Sequence, residues 1–233
     1  MHGLNWFALL HPKINETNIH IVTAVFLALV LIGVGILLRK KLLRLEKDLV
    51  PSEKVSLANT FELIIENLLD LMEGVIGPQA RRHLPLVGSI FIFIFVSNLL
   101  GLIPGFLPPT TNINTNLAMA LCVFLYFNYM GIKEHGVVNY FKHFAGPIWW
   151  LAPLILAIEL FGVVIRPITL SLRLLANINA DHLVLGIFSD LVPIIVPVIF
   201  MILGVFIAFV QAFVFTLLTI IYIALATAHE EQH

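Results

Sequence analysis

The sequence predicts an all-α integral membrane protein of about five crossings, and three observations lead there. Hydrophobic residues make up 60% of the 233 positions and charged residues only 12%, whereas a soluble domain carries about 45–50% apolar and about 25% charged residues. Mean hydropathy is +1.01, more apolar surface than a soluble fold of this size can hide. The few charges are also grouped, lying between apolar runs long enough to cross a bilayer.

A transmembrane helix needs about 20 mostly apolar residues to cross about 30 Å of hydrocarbon. Residues 1–10 lack the basic start and small-residue cleavage site of a secretory leader, so the first apolar run is expected to be retained. That run, 19–38, carries no formal charge, and Arg39, Lys40, Lys41 and Arg44 follow it at once. Residues 58–78 are amphipathic. Phe61, Leu63, Ile64, Leu68, Leu71 and Met72 cluster, while Glu62, Glu66, Asp70 and Glu73 recur at spacings of three and four. The expectation is an interfacial helix on the cytoplasmic surface, whose acidic face suits a protein neighbour better than anionic lipid.

Runs 84–103 and 117–132 form a central hairpin, entered from Arg81, Arg82 and His83 and left through Lys133 and Glu134. The turn between them is GLIPGFLPP at 101–109. The segments 147–188 and 191–228 are too long for upright spans. At about 1.5 Å per residue they reach about 57–63 Å, so each is either two short helices or one strongly tilted helix. The chain reads as a single membrane domain, 1–233, with no repeat of fixed period.

Charge sets the orientation. Of 13 Lys and Arg, eight lie between Arg39 and Arg82, and Lys133 and Lys142 add two more. By the positive-inside rule these segments are cytoplasmic and the N-terminus lies outside. Five crossings then return the C-terminus to the cytoplasm. A net charge of −1 gives no global field to recruit nucleic acid. The lone Cys122 cannot form an internal disulfide.

Ionisable residues inside a membrane are costly, about 2.5–3.5 kcal/mol each on translocon scales, and are functional candidates by default. Arg173 is the strongest, because it has no acid at i±3 or i±4 and an arginine cannot shed its proton. Its structural alternative is an ion pair with Glu159 or Asp181. Glu159, Arg166 and Arg173 are spaced by seven, about −20° per step on a straight helix, although Pro167 is placed to bend that stripe. Arg166 also reads as a snorkelling anchor near a surface. Asn177 shares the face of Arg173, Asp181 lies about 80° away and His182 about 180°. His182 can relay protons near neutral pH.

Gln211 is the one strongly polar side chain in 191–228, readable as interhelical glue or as part of a pathway. Asn112, Asn114 and Asn116 alternate at the start of the third run, where they either line an external aqueous access or cap a turn. HEEQH at 229–233 matches a zinc-binding pattern. It has no third ligand after it and reads as a solvated tail, so neither metal nor cofactor is expected.

Four runs resemble subunit a of F-type ATP synthases. They are RPITLSLRLLANINADH at 166–182, VQAFVFTLLTIIYIA at 210–224, FVSNLLGLIP at 95–104 and PTTNINTNLA at 109–118. The resemblance implies three upright spans and an amphipathic helix beside two long, tilted helices that wrap a rotor ring. It places Arg173 opposite the carboxylate of the c-ring, with Asn177 and Gln211 as polar neighbours and Glu159 as an acid toward the cytoplasm. His182 falls where bacterial relatives often carry Glu, and Gly204 where many carry His or Glu; Asp181 is a substitute carboxylate, offset by one residue.

The function implied is that of a stator subunit, non-catalytic by itself, in the bacterial inner membrane. Two half-channels carry protons to and from the c-ring, and a b-type peripheral stalk is the other partner. The choice between protons and sodium is left open. A stand-alone ion-coupled secondary transporter would also place charges at mid-membrane, but commonly with internal repeats.

Overall fold

The computed structural model describes residues 19–45, 57–103, 106, 108–136 and 195–227, with single positions at 165, 168, 169, 172, 176 and 183. Every element among the described residues is helical. They are α1 (Ile19–Leu45), α2 (Leu57–Ile76), α3 (Ala80–Leu100), a 3₁₀ turn (Pro109–Thr111), α4 (Ile113–His135) and α5 (Ile195–Thr227). Four of the helices are long and apolar enough to cross a membrane, through Ile19–Leu37, Ala80–Leu100, Ile113–His135 and Met201–Thr227. The crossing expected at 147–188 lies outside the described residues apart from the six single positions, each of which is helical and exposed.

α5 resolves one choice that charge counting leaves open. It is one helix of 33 residues, about 50 Å long at 1.5 Å per residue, and not a hairpin. Pro197 occupies its third position, where the missing N–H has no intrahelical partner to lose. The length of α5 exceeds the roughly 30 Å thickness of bilayer hydrocarbon by about 20 Å.

Lipid tails are as apolar as leucine, so helices in a membrane gain little from hiding apolar surface and associate by close packing, which small residues permit. Gly204, Ala208, Ala212 and Thr216 recur every fourth residue on α5 and all four are buried. Along this seam α5 packs on α3, the most extensive helix contact among the described elements. The two run antiparallel. Leu102, just past α3, meets Gly204 near the start of α5, and Phe91 and Phe95 of α3 meet Phe209 edge-to-face at 6.2 and 6.1 Å. α4 packs on the other flank of α5, with Phe127 beside Tyr222 at 6.0 Å. Away from these contacts α5 is exposed, including Ile199, Ile202, Val205 and Phe206.

α2 and α3 are joined by a tight turn. Gly77 takes φ +82°, a conformation cheap only for glycine, and its N–H bonds the Glu73 carbonyl at 3.0 Å to close α2. This folds the apolar stripe of α2 onto the bundle, where Leu68 and Met72 join the core of α3, α4 and α5. Protein, not lipid, therefore receives this stripe. Leu63 is a correction to the expected cluster: it is 60% exposed, because about 100° per residue sets it about 100° from Ile64 and about 140° from Leu68. The acids Glu62, Glu66, Asp70 and Glu73 are exposed.

The α3–α4 hairpin is fastened at both ends. Near the start of α3, Arg82 pairs with Glu134 of α4 at 2.8 Å, and buried His83 meets the Tyr126 hydroxyl at 3.0 Å. At the other end, Thr110 of the 3₁₀ turn donates to Asn98 Oδ1 at 3.0 Å, and Asn116 of α4 donates to the Thr110 carbonyl at 2.8 Å. α3 begins at Ala80, so Arg81, Arg82 and His83 lie inside the helix. They share their end of the bundle with Lys133, Glu134 and His135 in the last turn of α4.

Candidate ion pathway

Among the described residues, polar side chains enter the bundle from the end where α3 finishes and α4 begins. FVSNLLGLIP and PTTNINTNLA fold against each other there because Gly101 closes α3 with no side chain. A Cβ at 101 would stand 2.8 Å from Pro108 Cγ, so glycine lets the returning chain lie on the helix end. That contact brings Thr110 beneath Asn98, and both are buried.

The three alternating asparagines do not share one job. Asn112 is the N-cap of α4, its Oδ1 accepting from the Asn114 N–H at 2.9 Å, as a helix start requires. Asn114 points outward and is exposed. Asn116 is fully buried at 0% exposure, and only its amide nitrogen is engaged. Among the described residues its Oδ1 has no partner, and neither has the buried hydroxyl of Ser97 on α3. The amide cannot be turned round, because the Thr110 carbonyl accepts and cannot donate. Buried polar atoms without protein partners mark places that ordered water satisfies.

A further side chain closes this cluster. His20, in the first turn of α1, is 9% exposed, and its Nδ1 lies 3.3 Å from Asn112 Nδ2. Next to it on α1, buried Thr23 donates to the Ile19 carbonyl. His20 has no place in the sequence-based site. It stands alone at the edge of an apolar run, and nothing in its spacing signals a partner 92 residues away. Ser97, Asn98 and Thr110 were visible only as parts of family-like runs.

Gln211 lies on the buried side of α5 at 5% exposure, one residue before Ala212 of the small-residue seam. Thr216, further along that seam, is buried with a hydroxyl unpartnered among the described residues, while Thr219 donates to the Phe215 carbonyl at 2.9 Å. Gly204 is buried against Leu102, and no relay group stands there. Glu159, Arg166, Arg173, Asn177, Asp181 and His182 lie outside the described residues, as does the 229–233 tail. What the described residues assemble is therefore a cluster of neutral amides and hydroxyls at the α3–α4 turn, with His20 as its titratable member, and separate polar side chains on the buried side of α5. Such groups can order water and pass protons through it, but they hold no fixed charge.

Comparison with known proteins sets this bundle in a family. The family model described as "ATP synthase A chain" matches residues 5–224. The chain is 42% identical over 228 residues to ATP synthase subunit a of Bdellovibrio bacteriovorus, covering 98% of this chain and 99% of that protein. It is 46% identical over 215 residues to ATP synthase subunit a 1 of Syntrophotalea carbinolica, covering 92% and 87%. With ATP synthase subunit a of Geobacter sulfurreducens it shares 49% identity over 173 residues, or 73% of this chain and 75% of that one.

Proposed function

The chain belongs to the ATP synthase A chain family, and we propose that it is the ion-conducting stator of the membrane sector, with Arg173 as the gate between two half-channels. Membership makes it a multi-pass subunit of the proton-translocating sector. The finer reading follows from the energetics of charge in lipid. A rotor carboxylate facing hydrocarbon has to be neutral, because an ionised one is expensive there. On reaching the stator it loses its proton to one half-channel and pairs with Arg173. It then takes a proton from the other half-channel and returns to lipid.

Arg173 suits the gate because it stays charged throughout. It favours the ionised rotor site and repels a proton that would otherwise pass directly between channels. Asn177 and Gln211 act as its uncharged hydrogen-bonding neighbours. Glu159 serves the cytoplasmic channel, while His182, with Asp181 beside it, serves the outer one. Asn112, Asn114 and Asn116 stand at the outer access. Each proton crossing is driven by about 2.3 kcal/mol per 100 mV. ATP chemistry takes place in partner subunits.

The observation that carries this reading is α5, a helix longer than the hydrocarbon is thick, buried along a seam of small residues and apolar and exposed away from its helix contacts. A stator that follows the curved flank of a c-ring needs such a helix. The grouping of Arg81, Arg82 and Lys133 at one end of the bundle supports a cytoplasmic assignment for that end, with the N-terminus outside and the C-terminus inside. The setting is a bacterial inner membrane, and the second partner is a b-type stalk. Passive proton flow through the membrane sector, with the catalytic sector stripped and a potential applied, tests the half-channels. Gln211→Ala is expected to slow this flow without stopping it, and unaltered flow would remove Gln211 from the pathway.

A further inference from the structure

We propose that His20 is a proton-responsive latch at the outer mouth of the pathway, engaged with Asn112 when neutral and released from it when protonated. The inference rests on the half-channel reading above and adds to it a residue on α1.

The argument is one of hydrogen-bond directions. Asn112 Oδ1 is held by the Asn114 N–H at 2.9 Å as the cap of α4, so the amide cannot flip and presents its NH₂ to His20. At 3.3 Å from that NH₂, His20 Nδ1 acts as acceptor, which requires neutral imidazole with its proton on Nε2. Protonation adds a hydrogen to Nδ1. Two donors then face each other, and the imidazolium has to leave Asn112 for an acceptor or water. Acceptors belong to the same polar end of the bundle. Asn112 leads through the 3₁₀ turn to Thr110, Thr110 bonds Asn98 and Asn116, and the Oδ1 of Asn116 and the hydroxyl of Ser97 are without partners among the described residues. The protonation state of one side chain thus decides whether α1 is pinned to the start of α4.

His20 is the only titratable group among the described residues at this end. On the elements packed against it, the end of α3, the 3₁₀ turn and the start of α4 carry no Asp, Glu, Lys, Arg or His. α2 packs lower on α3, with Leu68 beside Gly88, and its acids Glu62, Glu66, Asp70 and Glu73 are exposed. α1 itself has no further charge before Arg39. Nothing else described at the mouth can read external acidity.

The test uses the purified holocomplex in liposomes, catalytic sector outward, so that the lumen bathes the outer mouth. ATP synthesis is followed while lumen pH is varied and total driving force is held constant with a potassium diffusion potential. The wild type is expected to show an inflection between about pH 5 and 8, where imidazole changes charge. His20→Gln keeps a hydrogen-bonding side chain that cannot titrate, and is expected to give a flatter profile than the wild type, with only the response of His182 in the outer channel remaining. Asn112→Ala keeps the imidazole but removes its partner, and is expected to flatten the profile in the same way, because protonation then has no contact to release. An inflection as strong as the wild type's in either variant overturns the latch, since a merely structural contact would change yield and leave the profile alone. Arg173→Gln separates the two levels. If it still synthesises ATP, the half-channel reading itself falls; if it does not and His20→Gln keeps the full inflection, only the latch falls.

Discussion

Gly204 on α5 and Leu102, just beyond α3, lie so close that a Cβ at 204 would stand 2.5 Å from Leu102 Cδ2. The position at which the family resemblance leads one to expect His or Glu is therefore filled here by a neighbouring leucine. Gly204→His has to displace Leu102 and is expected to lower the level of assembled subunit, overpacking costing about 1–3 kcal/mol. Gly204→His with Leu102→Ala is expected to regain most of that loss. Immunoblots of assembled complex for the four members of this cycle measure the coupling, and additive losses would show that the two residues do not compete for space.

Thr110 joins the α3 end to the α4 start. Thr110→Val keeps the carbonyl that Asn116 uses but removes the hydroxyl that Asn98 accepts from. Leaving the buried Asn98 oxygen unpaired is expected to cost about 1–3 kcal/mol, read as a lower thermal midpoint in detergent. Asn114→Ala, on the exposed side of the same turn, is expected to leave the midpoint within error.

The other end of the hairpin permits a comparison of polar contacts. Tyr126→Phe leaves buried His83 without its 3.0 Å hydroxyl partner, and a loss of about 1–3 kcal/mol is expected. Glu134→Gln weakens the partly exposed pair with Arg82, and at most about 1 kcal/mol is expected. The same thermal measurement ranks the two, and the reverse order would contradict the burial argument.

On α2, Met72 is fully buried in the core shared with α3 and α5, so Met72→Ala is expected to cost about 2–5 kcal/mol. Glu66→Gln, on the exposed face, is expected to cost little. If lipid and not protein received the apolar stripe, the two would differ far less in detergent.

How much of this was legible beforehand follows from the kind of signal each residue carries. Apolar runs declare themselves by length, so the sequence shows where α1, α3 and α4 lie to within a few residues. Charge alone does not tell whether 191–228 forms one helix or two, because doubling both long segments preserves the side on which every charge falls; only the family resemblance points to one long helix. Leu63 and Ile64 are neighbouring apolar residues in an amphipathic stretch, yet about 100° of helical turn separates them. The alternating asparagines are open to two readings in the sequence, an aqueous access or a turn cap, and the helix separates them, since i, i+2 and i+4 send Asn114 away from the other two. His20 carried no local pattern at all. Its role depends on a chain reversal at the GLIPGFLPP turn that brings Asn112 beside α1, which is information of topology and not of spacing. The small seam Gly204, Ala208, Ala212 and Thr216 was present in the sequence at a regular interval of four, but glycine, alanine and threonine inside an apolar run do not disturb its hydropathy.

The central claim is that Arg173 gates ion flow between stator and rotor, and ATP-driven acidification of inverted membrane vesicles tests it most directly. Vesicles carrying wild-type or Arg173→Gln subunit are compared at matched levels of assembled complex. The account predicts that the mutant complex is intact and pumps no protons. Normal pumping by that mutant would contradict the account, and Arg173 would then be a member of a structural ion pair.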